Sequence, residues 1–199
     1  LLMRSMRKNG DIKYAGYLKE ENLKKDLLQH IGSENIELYK ELSAEQRSSI
    51  EKTIYAMARK CHKALPHPDL PIFVFVYPWL PNTKESILFG GTTAFAAYYT
   101  LHLFIDVNTY TKTSLKQTIA HEWNHLVFYR YHTKRQYTLR EHIIMEGLAE
   151  IFREETMGGE PAPCTFALTK RETQEQFKLL KQKMNTKKQP REGLFFFAV

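Results

Sequence analysis

At 199 residues and 43% hydrophobic content, the chain is long enough for one large buried core and has an ordinary globular composition. The net charge of +7, from 29 basic and 22 acidic residues, collects in Arg4–Lys8 and in the segment 178–191. Neither run carries interleaved aromatics or a recognised nucleic-acid motif, so these are read as solvated faces and no nucleic-acid partner is expected.

No stretch approaches the roughly 18 apolar residues of a membrane helix. Cys61 and Cys164 lie far apart and form no CxxC, which argues against a disulfide framework or a cysteine-zinc site and leaves a single bridge open. The expected location is the cytoplasm. The sequence starts at Leu1, so a leader absent from it is left open.

In chain order, residues 18–31 (Leu18, Leu23, Leu27, Leu28, Ile31) and 44–64 (Ile50, Ile54, Met57, Ala58) have the spacing of amphipathic helices. The second opens on a capping box, Ser43 with Gln46. Pro66, Pro68 and Pro71 then break the chain before a buried strand, Leu70–Tyr77, closed by Pro78 and Pro81. Ile87–Phe89 and Ala94–Val107 read as extended, with Gly90-Gly91 marking a turn or a close backbone approach.

A helix follows over 113–132, free of Pro and Gly and capped by Thr111 or Thr113. Another covers Leu139–Glu155, opens on the capping box Thr138–Glu141, stops at Gly158-Gly159 and has Ile143, Ile144, Leu148, Ile151 and Phe152 as its apolar stripe. A last long helix is expected at Thr169–Asn185. The apolar tail Leu194–Val199 reads as a terminal strand or the start of a truncated segment. Helices, then a small mixed sheet, then helices make the fold class α+β. The helical N-terminal region 1–66 is expected to pack on region 67–199 as one compact domain.

The chemistry gathers at His121-Glu122-Trp123-Asn124-His125. An HExxH spacing on a helix puts both imidazoles on one face, a turn apart, where they can grip one Zn²⁺. Glu122 lies beside them, placed to take a proton from a water that zinc has made acidic, so that the water attacks a polarised carbonyl.

Twenty-one residues after His125 stands Glu146, with Glu150 four further on. Two carboxylates on one side of an apolar helix are costly without partners. Glu146 can supply the third zinc ligand, and Glu150 can accept a hydrogen bond from the far nitrogen of a ligating histidine. The extended scheme HExxHxxGxxH fails because Phe128 and Tyr131 hold its Gly and His positions. No Asp follows Asp106, so an aspartate ligand fails too.

Ala120–His125 together with Thr138–Glu150, which reads Thr-Leu-Arg-Glu-His-Ile-Ile-Met-Glu-Gly-Leu-Ala-Glu, resembles the gluzincin metalloproteases, and more closely the YjaZ-like family of zinc-dependent proteases. The likeness covers roughly residues 70–160. It implies a zincin-like catalytic region, one Zn²⁺ per chain on His121, His125 and Glu146, Glu122 as base, Glu150 as support, and a peptide or protein substrate. Such families also bring a His or Tyr to the oxyanion. No downstream match exists here, which leaves Tyr98, Tyr99, His102 and His142 as candidates. The alternative function is a non-catalytic module that keeps the scaffold and holds a protein partner by its cleft or basic tail. The extended segment Ala94–Val107 is the expected edge for substrate pairing, unless it is an interior strand.

Overall fold

The computed structural model describes residues 2–5, 42–67, 72–79, 84–97, 100–132, 137–162 and 168–183. The helix expected at 18–31, Tyr98, Tyr99, Cys164 and the tail 192–199 lie outside them. Among the described residues nine elements run in the order β1 (Leu2–Ser5), α1 (Ala44–Ala64), β2 (Phe73–Pro78), α2 (Lys84–Leu88), β3 (Thr92–Ala97), β4 (Thr100–Ile105), α3 (Lys112–Tyr131), α4 (Leu139–Met157) and α5 (Lys170–Lys183). The fold is α+β, as expected.

The sheet order is β1-β2-β4-β3, with β2 and β4 parallel and the other two pairs antiparallel. Alternation along the strands splits the sheet into two faces. Val76, Leu101, Leu103 and Ile105 belong to the main core with Ile50, Ile54, Met57, Ala58 and Cys61 of α1 and with Leu115, Ile119, Ala120, Trp123, Leu126 and Val127 of α3. Residues from both sides of position 66 therefore share one core. The other face stacks Phe75, Tyr77, Phe95 and Phe104 around the His102 ring. Cys61 is a buried free thiol, pushed up to about 12 by burial and so inert.

Two sequence expectations need correction. Ile87–Phe89 is not extended: α2 ends at Leu88 and leads into a turn. A three-residue apolar run carries no periodicity with which to tell helix from strand. The Gly90-Gly91 turn is real. Both glycines have positive φ, and a Cβ on Gly91 would sit 2.2 Å from the Tyr110 backbone nitrogen.

Ala94–Val107 is also not one strand but two, β3 and β4, paired antiparallel from Thr92↔Ile105 to Ala97↔Thr100. No Gly, Pro, Asn or Asp punctuates residues 94–103, so the alternation reads straight through the reversal. The Thr100 hydroxyl donates to the Ala97 carbonyl at 2.9 Å across it. β4 is thus interior, and β3 is an edge strand, with β1 at the opposite edge among the described residues.

Candidate metal centre

Helix α3 is fixed at its start and along its length before any histidine is considered. Thr111 caps it reciprocally with Ser114, at 2.9 and 3.0 Å. Just upstream, fully buried Asp106 accepts from the Ser86 hydroxyl (2.9 Å), the Thr109 hydroxyl (2.8 Å) and the Asn108 N–H (3.0 Å), tying α2 and β4 to the start of the helix. Further along, Trp123 Nε1 donates to the Leu65 carbonyl at 3.0 Å and locks α3 to the end of α1. Helix α4 opens with the Thr138–Glu141 capping box and ends at Gly158, whose left-handed conformation lets Gly159 N–H bond the Glu154 carbonyl at 2.8 Å.

These restraints bring His121 and His125 of α3 against Glu146 of α4. His121 Nε2 lies 3.0 Å from His125 Nε2 and 3.1 Å from Glu146 Oε2, and His125 Nε2 lies 3.4 Å from the same oxygen. Three donors at about 2.0–2.1 Å from a tetrahedral ion stand about 3.3–3.4 Å apart, so this triangle is close to the size zinc requires. Among the described residues it is the one group of three His, Cys, Asp or Glu able to hold a metal. On the far side of the ring, His121 Nδ1 donates to Glu150 Oε1 at 2.7 Å.

The charges respond to this packing. Burial opposes protonation of His121, but hydrogen bonds to Glu146 and Glu150 and the Glu122 charge outweigh it and push the imidazole to about 10. Burial also works against ionisation of Glu146 and Glu150. The bonds to His121, with His125 for Glu146 and Arg153 for Glu150, hold both carboxyls below their usual range. Glu122 goes the other way: burial dominates and raises it, against the pull of both histidines and a hydrogen bond from the Ala96 N–H of β3. Its Oε2 and His125 Nδ1 are buried with no hydrogen-bond partner among the described residues. A buried acid with one open oxygen, beside a triangle of ligand atoms, suits a metal and its water better than a closed polar network.

Sequence reasoning also placed residues that do not meet here. His102 is on the opposite sheet face, buried between Phe75 and Phe95 and bonded to the Tyr77 hydroxyl (3.1 Å) and the Thr100 hydroxyl (3.1 Å). His142 lies one turn before Glu146 on the same side of α4, its ring 5.7 Å from that of Tyr137. Arg153, although it opens the charged run Arg153-Glu154-Glu155, is only 3% exposed. It donates to Glu150 Oε2 through Nε (3.0 Å) and Nη2 (2.7 Å). The signal was present as an i, i+3 acid–base pair, but that spacing alone does not tell a surface pair from a buried one.

The α4 stripe is corrected as well. The helix buries Leu139, Met145, Ala149, Arg153 and Thr156, and leaves Ile144, Leu148 and Ile151 46–56% exposed. With Glu146 and Glu150 turned toward α3, those three positions fall roughly opposite them on the helix, at ~100° per residue.

The histidine pair on one helix and the glutamate on the next form a group that could hold a metal ion, with a buried acid beside it. The family described as "Predicted Zn-dependent protease (DUF2268)" matches residues 50–197, about three quarters of the chain, and the chain belongs to it. This agrees with the resemblance drawn from the two motifs. No curated protein and no solved structure matches the chain. No helix among the described residues is long and apolar enough to cross a membrane.

Proposed function

We propose that the protein is a zinc metallopeptidase with one Zn²⁺ per chain, held by His121 Nε2, His125 Nε2 and the Glu146 carboxylate. The observation that carries this is the 3.0–3.4 Å triangle of donor atoms with buried Glu122 beside it. Zinc bound there supplies a Lewis acid and acidifies a water. Glu122 is the general base: its raised affinity for a proton, caused by burial, suits a group that must take one and give it to a leaving amine. Glu150 holds His121 in the tautomer that offers Nε2 as ligand.

The substrate is an extended peptide or protein segment. The edge of β3 is the place for its backbone, since Ala96 on that strand already touches Glu122. His142, on the Glu146 side of α4, is the favoured candidate oxyanion donor of the four.

Metal analysis and cleavage of a mixed peptide library test this together. Wild type and Glu122→Gln should each hold about one zinc, while hydrolysis in the variant falls by ~10²–10⁴-fold. Equal activity in the two would sink the assignment of Glu122.

A further inference from the structure

We infer that Arg153 is a positioning residue for the metal centre, acting on His121 through Glu150; the inference rests on the zinc reading above. The guanidinium is buried, and all three of its nitrogens are engaged. Nε and Nη2 hold Glu150 Oε2, and Nη1 donates to the Glu160 carbonyl at 3.0 Å. That carbonyl belongs to the turn after Gly158-Gly159, and the turn is itself tied to α3 by Gln117 Nε2, which donates to the Pro161 carbonyl at 3.0 Å.

The chain of contacts therefore starts on α3 at Gln117, passes through the turn and Arg153, and returns to α3 at His121. Gln117 and His121 are one helical turn apart, so the loop is closed. A carboxylate free to rotate could present either oxygen to His121, or swing outward, since Glu150 is 40% exposed. The planar two-point grip on Oε2 removes that freedom and leaves Oε1 to receive Nδ1–H at 2.7 Å. With Nδ1–H held by Glu150, Nε2 is the nitrogen turned toward Glu146 and the ligand triangle, where a metal would take the place of its proton. Arg153 thus contributes to metal affinity without touching the metal or its ligands.

The test measures zinc affinity, by competition with a chromophoric chelator, in wild type, Arg153→Met, Arg153→Lys, Glu150→Ala and the double variant Glu150→Ala/Arg153→Met. Folding of each is checked by circular dichroism, and ¹⁵N NMR reads the His121 tautomer. Arg153→Met should bind zinc about 10–100-fold more weakly, the size of loss expected for an outer partner of a ligand. The double variant should be no weaker than Glu150→Ala, because Arg153 has nothing to act on once Glu150 is gone. Arg153→Lys should recover part of the affinity, and the fixed Nδ1–H signal should weaken in Arg153→Met.

Folded Arg153→Met with wild-type affinity would overturn the inference, as would a double variant that loses the sum of both single effects. If Arg153→Met does not fold, Arg153→Lys decides, and zinc affinity equal to wild type overturns it. Wild type that takes no zinc would overturn the metal reading itself, a different failure from zinc-loaded wild type beside an unaffected variant.

Discussion

Helices α3 and α4 carry the candidate centre between them, yet they are held in place by opposite means. α3 lies in the core: Leu115, Ile119, Ala120 and Leu126 are fully buried, and Trp123 and Val127 nearly so. Its rotation is set by apolar packing, and the two histidines ride on the face that is left. α4 turns its polar side inward. Glu146, Glu150 and Arg153 face α3 and the turn at Glu160, while Ile144, Leu148 and Ile151 face out. A cluster of charge-assisted hydrogen bonds, beside buried Leu139, Met145 and Ala149, fixes this helix with part of its aliphatic stripe left outside. The cost of leaving two carboxylates and a guanidinium unpaired exceeds the gain from burying three aliphatic side chains that remain half-covered.

The largest test of that contrast is truncation of the apolar side of α3. Leu126→Ala removes a fully buried side chain and should cost about 2–5 kcal/mol of unfolding free energy in denaturant melts, with zinc still bound by the folded fraction. A loss under 1 kcal/mol would mean that the core does not set α3. The matching change on α4 is polar. Glu150→Ala should weaken zinc binding about 10–100-fold, where Glu146→Ala loses most of the metal. The reverse order of the two variants would exchange their roles.

Acidity sharpens the comparison further. His121 is raised from 6.5 to about 10 in the folded protein, so in the metal-free state its contribution to stability is complete below pH 6.5 and lost as pH climbs toward 10. Glu146 and Glu150 are depressed, so theirs is present above about pH 4.5 and lost as pH falls. The cluster therefore stabilises the metal-free fold most between these limits. Its melting temperature should decline from pH 6.5 to 10, and less steeply in Glu150→Ala. Zinc competes with the His121 proton, so its affinity should rise over the same range. A metal-free melting temperature that rises with pH there would contradict the cluster's role. The smallest effect belongs to the outer face of α4: Leu148→Ser should change stability by no more than ~0.5 kcal/mol. A large loss would show that this face is covered.

What the sequence disclosed follows the same division. Ser43 and Thr138 cap helices as expected, Thr111 is the cap of the two offered, and Thr169 caps the last helix, because a cap is settled within four residues. His121, Glu122 and His125 share one turn of one helix, so their proximity was legible from spacing alone. Three things were not. Residues 94–105 reverse direction without any turn residue, and α2 is too short to show a period. The rotation of α4 depends on a tertiary cluster that no hydrophobic pattern records. Arg153 belongs to this last group, since its role needs Glu160 and Gln117 brought together from different elements.

In the proposed centre α4 contributes Glu146, not Glu150, to a metal held by the two α3 histidines. X-ray anomalous scattering at the zinc edge, on crystals of the zinc-loaded protein, tests it most directly. The expected result is a single site within about 2.0–2.2 Å of His121 Nε2, His125 Nε2 and a Glu146 carboxylate oxygen, with Glu150 still on His121 Nδ1. Zinc bound by Glu150, or placed away from His121 and His125, would contradict it.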